Sequence, residues 1–221
     1  MAQIENLGRE RILTRIRNAL KTPTLVHWTN EATRGMQPVF APIPDALERF
    51  QRECAGNKTE LIVTPDSRAS GEALESVLAS LPPGEIFVQD APVLRPLSSG
   101  LPQTNNLRWS SEGGPHENSQ ATITLAEVLV AQTGSVVVSA ACGGRGASIV
   151  APVHIVVATA SQLVPTIDDA FVRLHEQGAA EQNSYVSLVT GSSRTADIEK
   201  ILVMGAHGPR RLIVILELAT E

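Results

Sequence analysis

The sequence predicts an α/β domain built on a mostly parallel sheet, preceded by a helical arm, and three observations carry that expectation. A length of 221 residues is enough for one substantial core and does not demand two. The runs Leu61-Ile62-Val63 and Ile86-Phe87-Val88 are continuously apolar, as strands covered on both faces must be. Between them Leu74, Val77, Leu78 and Leu81 recur at helical spacing, so the stretch reads strand, helix, strand.

Taken in order, Ile12, Leu13, Ile16 and Leu20 space an amphipathic first helix that needs a surface to dock on. From Thr22 to Pro44 the chain holds four prolines, one tryptophan and few periodic apolar residues, which reads as an extended arm. Residues 1–44 thus form an N-terminal helix and arm, and 45–221 the main domain. A second helix opens at Asp45, buries Leu47, Phe50 and Cys54, and stops at Gly56. Ala91 to Ser119 is rich in Pro, Ser, Asn and Gly and reads as loop around one short strand, Leu107 to Trp109, with His116 solvated in it. Glu127 to Ala131 and Ser135 to Ser139 read as a hairpin turning on Gln132-Thr133-Gly134. His154 to Ala158 is a further apolar strand, Ile167, Phe171 and Leu174 define a helix, Tyr185 to Val189 is strand-like, and Leu212 to Leu216 is the last strand, deep in the sheet.

Composition excludes several function classes. A formal net charge of -5 with no basic stripe argues against sequence-independent nucleic-acid binding, and scarce aromatics against a base-stacking platform. No apolar run reaches the length of a membrane span and the N-terminus lacks a signal-peptide core, so a cytoplasmic protein is expected. The two cysteines, Cys54 and Cys142, match no ligand spacing, so no metal and no cluster is expected within this chain.

Candidate chemistry gathers late in the sequence. After Thr190-Gly191, the residues Ser192, Ser193, Arg194 and Thr195 precede Ile198, Ile201 and Leu202, whose spacing predicts a helix closed by Gly205. The hydroxyls serve there either as caps alone or, with first-turn amides and the Arg194 guanidinium, as an anion site. His207 and Gly208 follow in a bend that lets backbone approach a ligand, and Asp197 and His207 are the candidate catalytic groups. Gly144-Arg145-Gly146 and Ser148 read either as an anion loop with Arg145 as its cation or as a solvent-facing turn. They do not make a dinucleotide fingerprint: Pro152 leaves no room for a following helix, although Asp168 lies roughly 20 residues on. His154, at a strand start, either lines a pocket or satisfies a backbone carbonyl.

The run from Gly191 to Leu216 resembles the C-terminal signature of the LUD-domain family, in its lactate utilization protein C branch. Ala131-Gln132-Thr133-Gly134-Ser135 is similar to that family's A-E-T-G-T turn, Gly144-Arg145-Gly146-Ala147-Ser148 to its G-x-x-R-x-A-S loop in shortened form, and Pro152-Val153-His154-Ile155 to its P-x-H-I strand entry. Two positions depart: Gln132 stands where the family carries glutamate, and Ser135 where it carries threonine. The first removes any nucleophilic or proton-transferring carboxylate, since an amide does neither job at neutral pH.

The resemblance implies the NagB/RpiA/CoA-transferase-like three-layer fold and a ligand site drawn from Gln132, Thr133, Gly134, Gly144, Arg145, Ser148, His154, Ser192, Ser193, Arg194, Thr195, His207 and Gly208. It also implies a component of the system that oxidises L-lactate to pyruvate, acting beside iron-sulfur subunits. With no cluster cysteines and no flavin or nicotinamide motif, this chain's part would be to bind a small carboxylate, phosphate or CoA-like ligand, or to hold the complex together. Two other roles stay open. One is a stand-alone transferase or isomerase acting on a CoA thioester or sugar phosphate, with Arg194, Asp197 and His207 as clamp, base and acid. The other is a non-catalytic assembly subunit that uses the first helix and the arm; self-association is equally open.

Overall fold

The computed structural model describes residues 2–22, 40–97, 106–113, 118–196, 202–204 and 208–219. Its contacts divide the chain into two compact units, Met1–Pro42 and Ile43–Glu221. The first holds helix α1 (Ala2–Leu20), on which Ile12, Ile16 and Leu20 are exposed. Most of the expected arm lies outside the described residues, as does His116.

In the second unit, α2 (Ala46–Gly56) starts where Asp45 accepts the Glu48 amide, and it buries Phe50 and Cys54. Strand β1 (Glu60–Thr64), helix α3 (Ser67–Ala79), capped by Asp66, and β2 (Glu85–Val88) form the expected strand-helix-strand unit. A short helix α4 (Leu94–Leu97) and strand β3 (Asn106–Trp109) follow. Next come β4 (Ser119–Leu125), the hairpin of β5 (Val128–Val130) and β6 (Ser135–Ser139), β7 (Val153–Thr159), β8 (Leu163–Val164), α5 (Ile167–Glu176), α6 (Ala179–Gln182) and β9 (Val186–Val189). A small hairpin of β10 (Arg194–Ala196) and β11 (Leu202–Met204) precedes the last strand, β12 (Arg211–Glu217).

Six strands form one wholly parallel sheet in the order β1-β12-β7-β4-β2-β3. One face, with Ile86, Ile123, Ile155, Ile213 and Ile215, packs on Leu74 and Leu78 of α3 and Leu94 of α4. The other face, with Val156, Leu212, Val214 and Leu216, packs on Phe50 and Cys54 of α2 and on Leu129, Val136 and Val138 of a second sheet, ordered β8-β5-β6-β9. Helix α5 lies against the far side of that second sheet through Ala170 and Leu174. The result is the expected layered α/β fold around a mostly parallel sheet, with β12 buried between two neighbours.

Three details differ from the sequence reading. Strand β4, which begins at the last residue of the expected loop and for which the sequence reading names no strand, lies inside the main sheet, between β7 and β2. Its alternation of Gln120, Thr122 and Thr124 with Ala121, Ile123 and Leu125 looked polar, yet all but Gln120 and Leu125 are buried, because the threonines face a polar inclusion described below. Phe171 is 67% exposed on α5, on the rim of an apolar cleft of about 180 Å³ that it shares with Val137, Val186 and Leu188.

The third concerns the helix expected after Thr195. Its described ends are antiparallel strands instead, paired Arg194 with Met204, Thr195 with Val203 and Ala196 with Leu202. Three apolar residues at helical spacing are too few to decide between periods, and the uninterrupted run Leu202-Val203-Met204 suits a strand as well. Residues 197–201, between these strands, lie outside the described part.

The β5–β6 turn supplies a stability test. Gly134 has φ 63°, and a Cβ there would stand 2.8 Å from the Cys54 nitrogen and the Glu53 carbonyl carbon of α2. Gly134→Ala should therefore lower the urea-unfolding free energy by roughly 3 kcal/mol, combining left-handed strain with overpacking against backbone. Gly56→Ala, with open space around it, should be neutral or slightly stabilising in the same measurement.

Candidate functional site

The residues singled out in the sequence fall in three places. The first is the Gln132-Thr133-Gly134 turn, wedged between α2 and the start of α5. Arg49 Nη2 donates to the Gln132 carbonyl at 3.2 Å and Asn57 Nδ2 to the Thr133 carbonyl at 2.7 Å. The Gln132 amide oxygen accepts from Ile167 N–H, in the first turn of α5, at 3.2 Å. That job needs an acceptor and no charge, so glutamine performs it as an amide. From this turn a chain of hydroxyls passes through buried Ser135 to exposed Thr190: Thr133 Oγ1 to Ser135 Oγ at 2.6 Å, and Ser135 Oγ to Thr190 Oγ1 at 2.6 Å. Ser135 is fully buried, which explains why a hydroxyl is needed where a small apolar residue would otherwise fit.

The second place is the glycine loop and the sheet beneath it. Gly143 and Gly144 take φ 107° and 104°, and a Cβ on Gly143 would meet the Phe87 ring at 2.6 Å. The next turn, Arg145–Ser148, packs on β4 and buries Ala147 against Phe87 and Cys142. Arg145 is exposed; it donates to the Ser184 carbonyl at 3.0 Å and stacks 5.8 Å from the Tyr185 ring centroid. Below the loop, strand register sets Phe87, Thr122 and His154 side by side on one face. His154 Nε2 bonds Thr124 Oγ1 at 2.8 Å. Among the described residues His154 Nδ1, Thr122 Oγ1 and Ser148 Oγ, all buried, have no hydrogen-bond partner. Burial lowers the His154 pKa to about 4, so its imidazole is neutral at physiological pH.

The third place joins the two ends of the small hairpin. Gly191 has φ 75°, and a Cβ there would collide with the Asn57 carbonyl oxygen at 2.4 Å. Asn57 therefore holds the first turn with its side chain, and its backbone packs closely against this bend. Ser193 N–H donates to the Pro209 carbonyl at 2.9 Å, and Gly208 lies so close that its Cβ would stand 3.1 Å from Ser193 Cβ. Ser192 is buried, its Oγ without a partner among the described residues, and Thr59 Oγ1, two residues past Asn57, is in the same condition. Arg210 and Arg211 N–H groups both donate to the Pro152 carbonyl, at 2.8 and 3.2 Å, which anchors the second bend to the entry of β7.

Thus Ser192, Ser193 and Gly208 are brought together, and Arg194 and Thr195 follow directly on β10. Asp197 and His207 lie outside the described residues. Burial raises the Cys54 and Cys142 thiols to about 12 and 11, so both stay protonated. Among the described residues no group of three or more His, Cys, Asp or Glu is placed to hold a metal ion, and no helix is long and apolar enough to cross a membrane. Sequence reasoning missed Thr59, Thr122 and Thr124; the alternation of threonine with Ala, Ile and Leu in β4 was the available signal.

Comparison with known proteins supplies the remaining constraint. A model of the LUD domain matches residues 116–216. Lactate utilization protein C of Geobacillus thermodenitrificans is 30% identical over 190 residues, 78% of this chain and 78% of that protein. The protein of the same name from Bacillus subtilis is 29% identical over 190 residues, again 78% of each. A crystal structure of a DUF162 family protein from Deinococcus radiodurans superposes with a TM-score of 0.59 at 20% identity, covering 77% of this chain and 95% of that one, which shows the shared fold.

The buried imidazole predicts an acid-side loss of stability. The unfolded histidine takes a proton below its ordinary value near 6.5, whereas folded His154 resists until about 4. Its stabilisation is therefore present above pH 6.5 and lost as pH falls towards 4. At pH 5 the loss should be about 2 kcal/mol, 1.36 kcal/mol for each of some 1.5 pH units. Urea unfolding of wild type and His154→Gln at pH 7.5 and 5 should show that difference in the wild type and not in the variant.

Proposed function

Because the chain belongs to the lactate utilization protein C family of LUD-domain proteins, we propose that it serves L-lactate utilization by binding a small carboxylate at the joined bends of Gly191 and Gly208, without a redox group of its own. The observation that carries this reading is the Ser193 to Pro209 hydrogen bond of 2.9 Å, which joins the segment after Gly191, where the buried Ser192 hydroxyl has no partner among the described residues, to the segment after Gly208. Consecutive amides and hydroxyls at such bends are the donors a carboxylate needs, and a guanidinium adds two more in a planar fork. Arg194, the next residue in sequence, is the cation assigned to that role.

On this reading electrons pass through partner subunits that carry iron-sulfur clusters, and this chain binds or presents the acid to them. Covalent catalysis receives no support from the turn or the thiols. Gln132 is engaged in capping α5, and both cysteines are held protonated.

Isothermal titration of the purified chain with L-lactate and with pyruvate tests the binding. Arg194→Ala should weaken it ten- to a hundredfold, the effect of roughly 1.5–3 kcal/mol for a hydrogen bond to a charged group. In cells, deleting the gene should abolish growth on L-lactate as sole carbon source. Unimpaired growth, or carboxylate binding indifferent to Arg194, counts against the reading.

A further inference from the structure

The polar inclusion under the glycine loop is built on other side chains than the bends assigned to the carboxylate. Three buried atoms there, Ser148 Oγ, Thr122 Oγ1 and His154 Nδ1, have no hydrogen-bond partner among the described residues, and their residues are 2%, 0% and 0% exposed. Thr122 and His154 are neighbours in register on adjacent strands, a spacing of about 4.8 Å. On the other side Thr122 neighbours Phe87, on which Ala147 packs, and the turn that carries Ala147 and Ser148 lies against β4.

The chemistry of the inclusion selects its guest. Its imidazole is neutral, its other members are hydroxyls, and Arg145 is engaged on the exposed side of the loop with Ser184 and Tyr185. The Arg108 guanidinium that stacks 5.1 Å over Phe87 is already paired with Glu85, so an ion among these hydroxyls would find no counter-charge described for it, which makes it far costlier to bury than a neutral molecule. A neutral guest must both donate and accept, because the unpartnered atoms include hydroxyls and one ring nitrogen. Water satisfies these terms, with three bonds of the number internal waters normally make.

We propose that Ser148, Thr122 and His154 form an enclosed, uncharged site that binds one water molecule and through it fastens the glycine loop to the central strands. The hydrogen bonds described for the loop's own amides are local: Gly144 to Ala140, Ala147 to Gly144, and Val150 to Gly146. The water therefore supplies a polar tie from the loop to β4 and β7, and it orients His154 from the side opposite Thr124.

A crystal structure of the full chain at a resolution that orders solvent provides the first test. One water oxygen within hydrogen-bonding distance of Ser148 Oγ and of Thr122 Oγ1 or His154 Nδ1 is expected. A direct bond among the three side chains, or an ion in their midst, overturns the proposal. Thr122→Val gives a test by sign. If a water is bound, removing one of its partners lowers the melting temperature by several degrees and speeds amide exchange at Gly146 to Ser148. An unchanged or raised melting temperature overturns the proposal, since deleting an unsatisfied buried hydroxyl relieves a cost. Should that variant fail to fold, oxygen-17 relaxation dispersion of the wild type and Ser148→Ala decides. A long-lived internal water lost in Ser148→Ala supports the site, and equal dispersion in both contradicts it.

Discussion

The backbone hydrogen bond from Ser193 to the Pro209 carbonyl holds the proposed site together, and much of the fold serves to make it possible. Its acceptor is fixed by β12, whose strand lies between β1 and β7 and whose first amides are captured by the Pro152 carbonyl. Its donor is fixed by Asn57, which leaves no room for a side chain at position 191 and at the same time holds the Thr133 carbonyl. Two segments therefore meet at the amino ends of the parallel strands β7 and β12.

Two kinds of interior meet along the face that carries β7 and β12. Most of it is aliphatic and packs on α2 and the second sheet. Along one edge the aliphatic surface gives way to hydroxyls, amides and one imidazole: Thr122, Thr124 and His154 on the strands, and Thr133, Ser135 and Thr190 in a connected chain nearby. Polar groups that find partners inside the protein, as Thr124 does in His154 and Ser135 in Thr133 and Thr190, specify one arrangement of the loops above them. The glutamine at position 132 belongs to the same pattern, since it holds α5 through an uncharged acceptor.

Much of this was legible in the residues. Continuous apolar strands around a helix, Leu61 to Val88, and the hairpin about Gly134 were readable because period and turn chemistry agree there. Strand β4 was not, because Thr122 and Thr124 look solvent-facing until their partners across the sheet are known. The segment after Thr195 misled for the opposite reason: Ile198, Ile201 and Leu202 suit a helix, while their immediate neighbours suit strands, and only the pairing of Arg194 with Met204 settles its described ends. The convergence of Ser192, Ser193 and Gly208 survives that change of route, since a hairpin returns the chain to its starting point. Arg145 could not be placed from sequence, for nothing in Gly144-Arg145-Gly146 announces that Tyr185 and Ser184 will hold it on the outside.

The account stands on the claim that the joined bends, rather than the glycine loop or the Gln132 turn, receive the acid. Crystals of the chain soaked with L-lactate or pyruvate test this most directly. Density for a carboxylate bonded to Ser192 or Ser193 beside Gly208 is the predicted result. Density at the Arg145 loop or the Gln132 turn, with the two bends left unliganded, would contradict it.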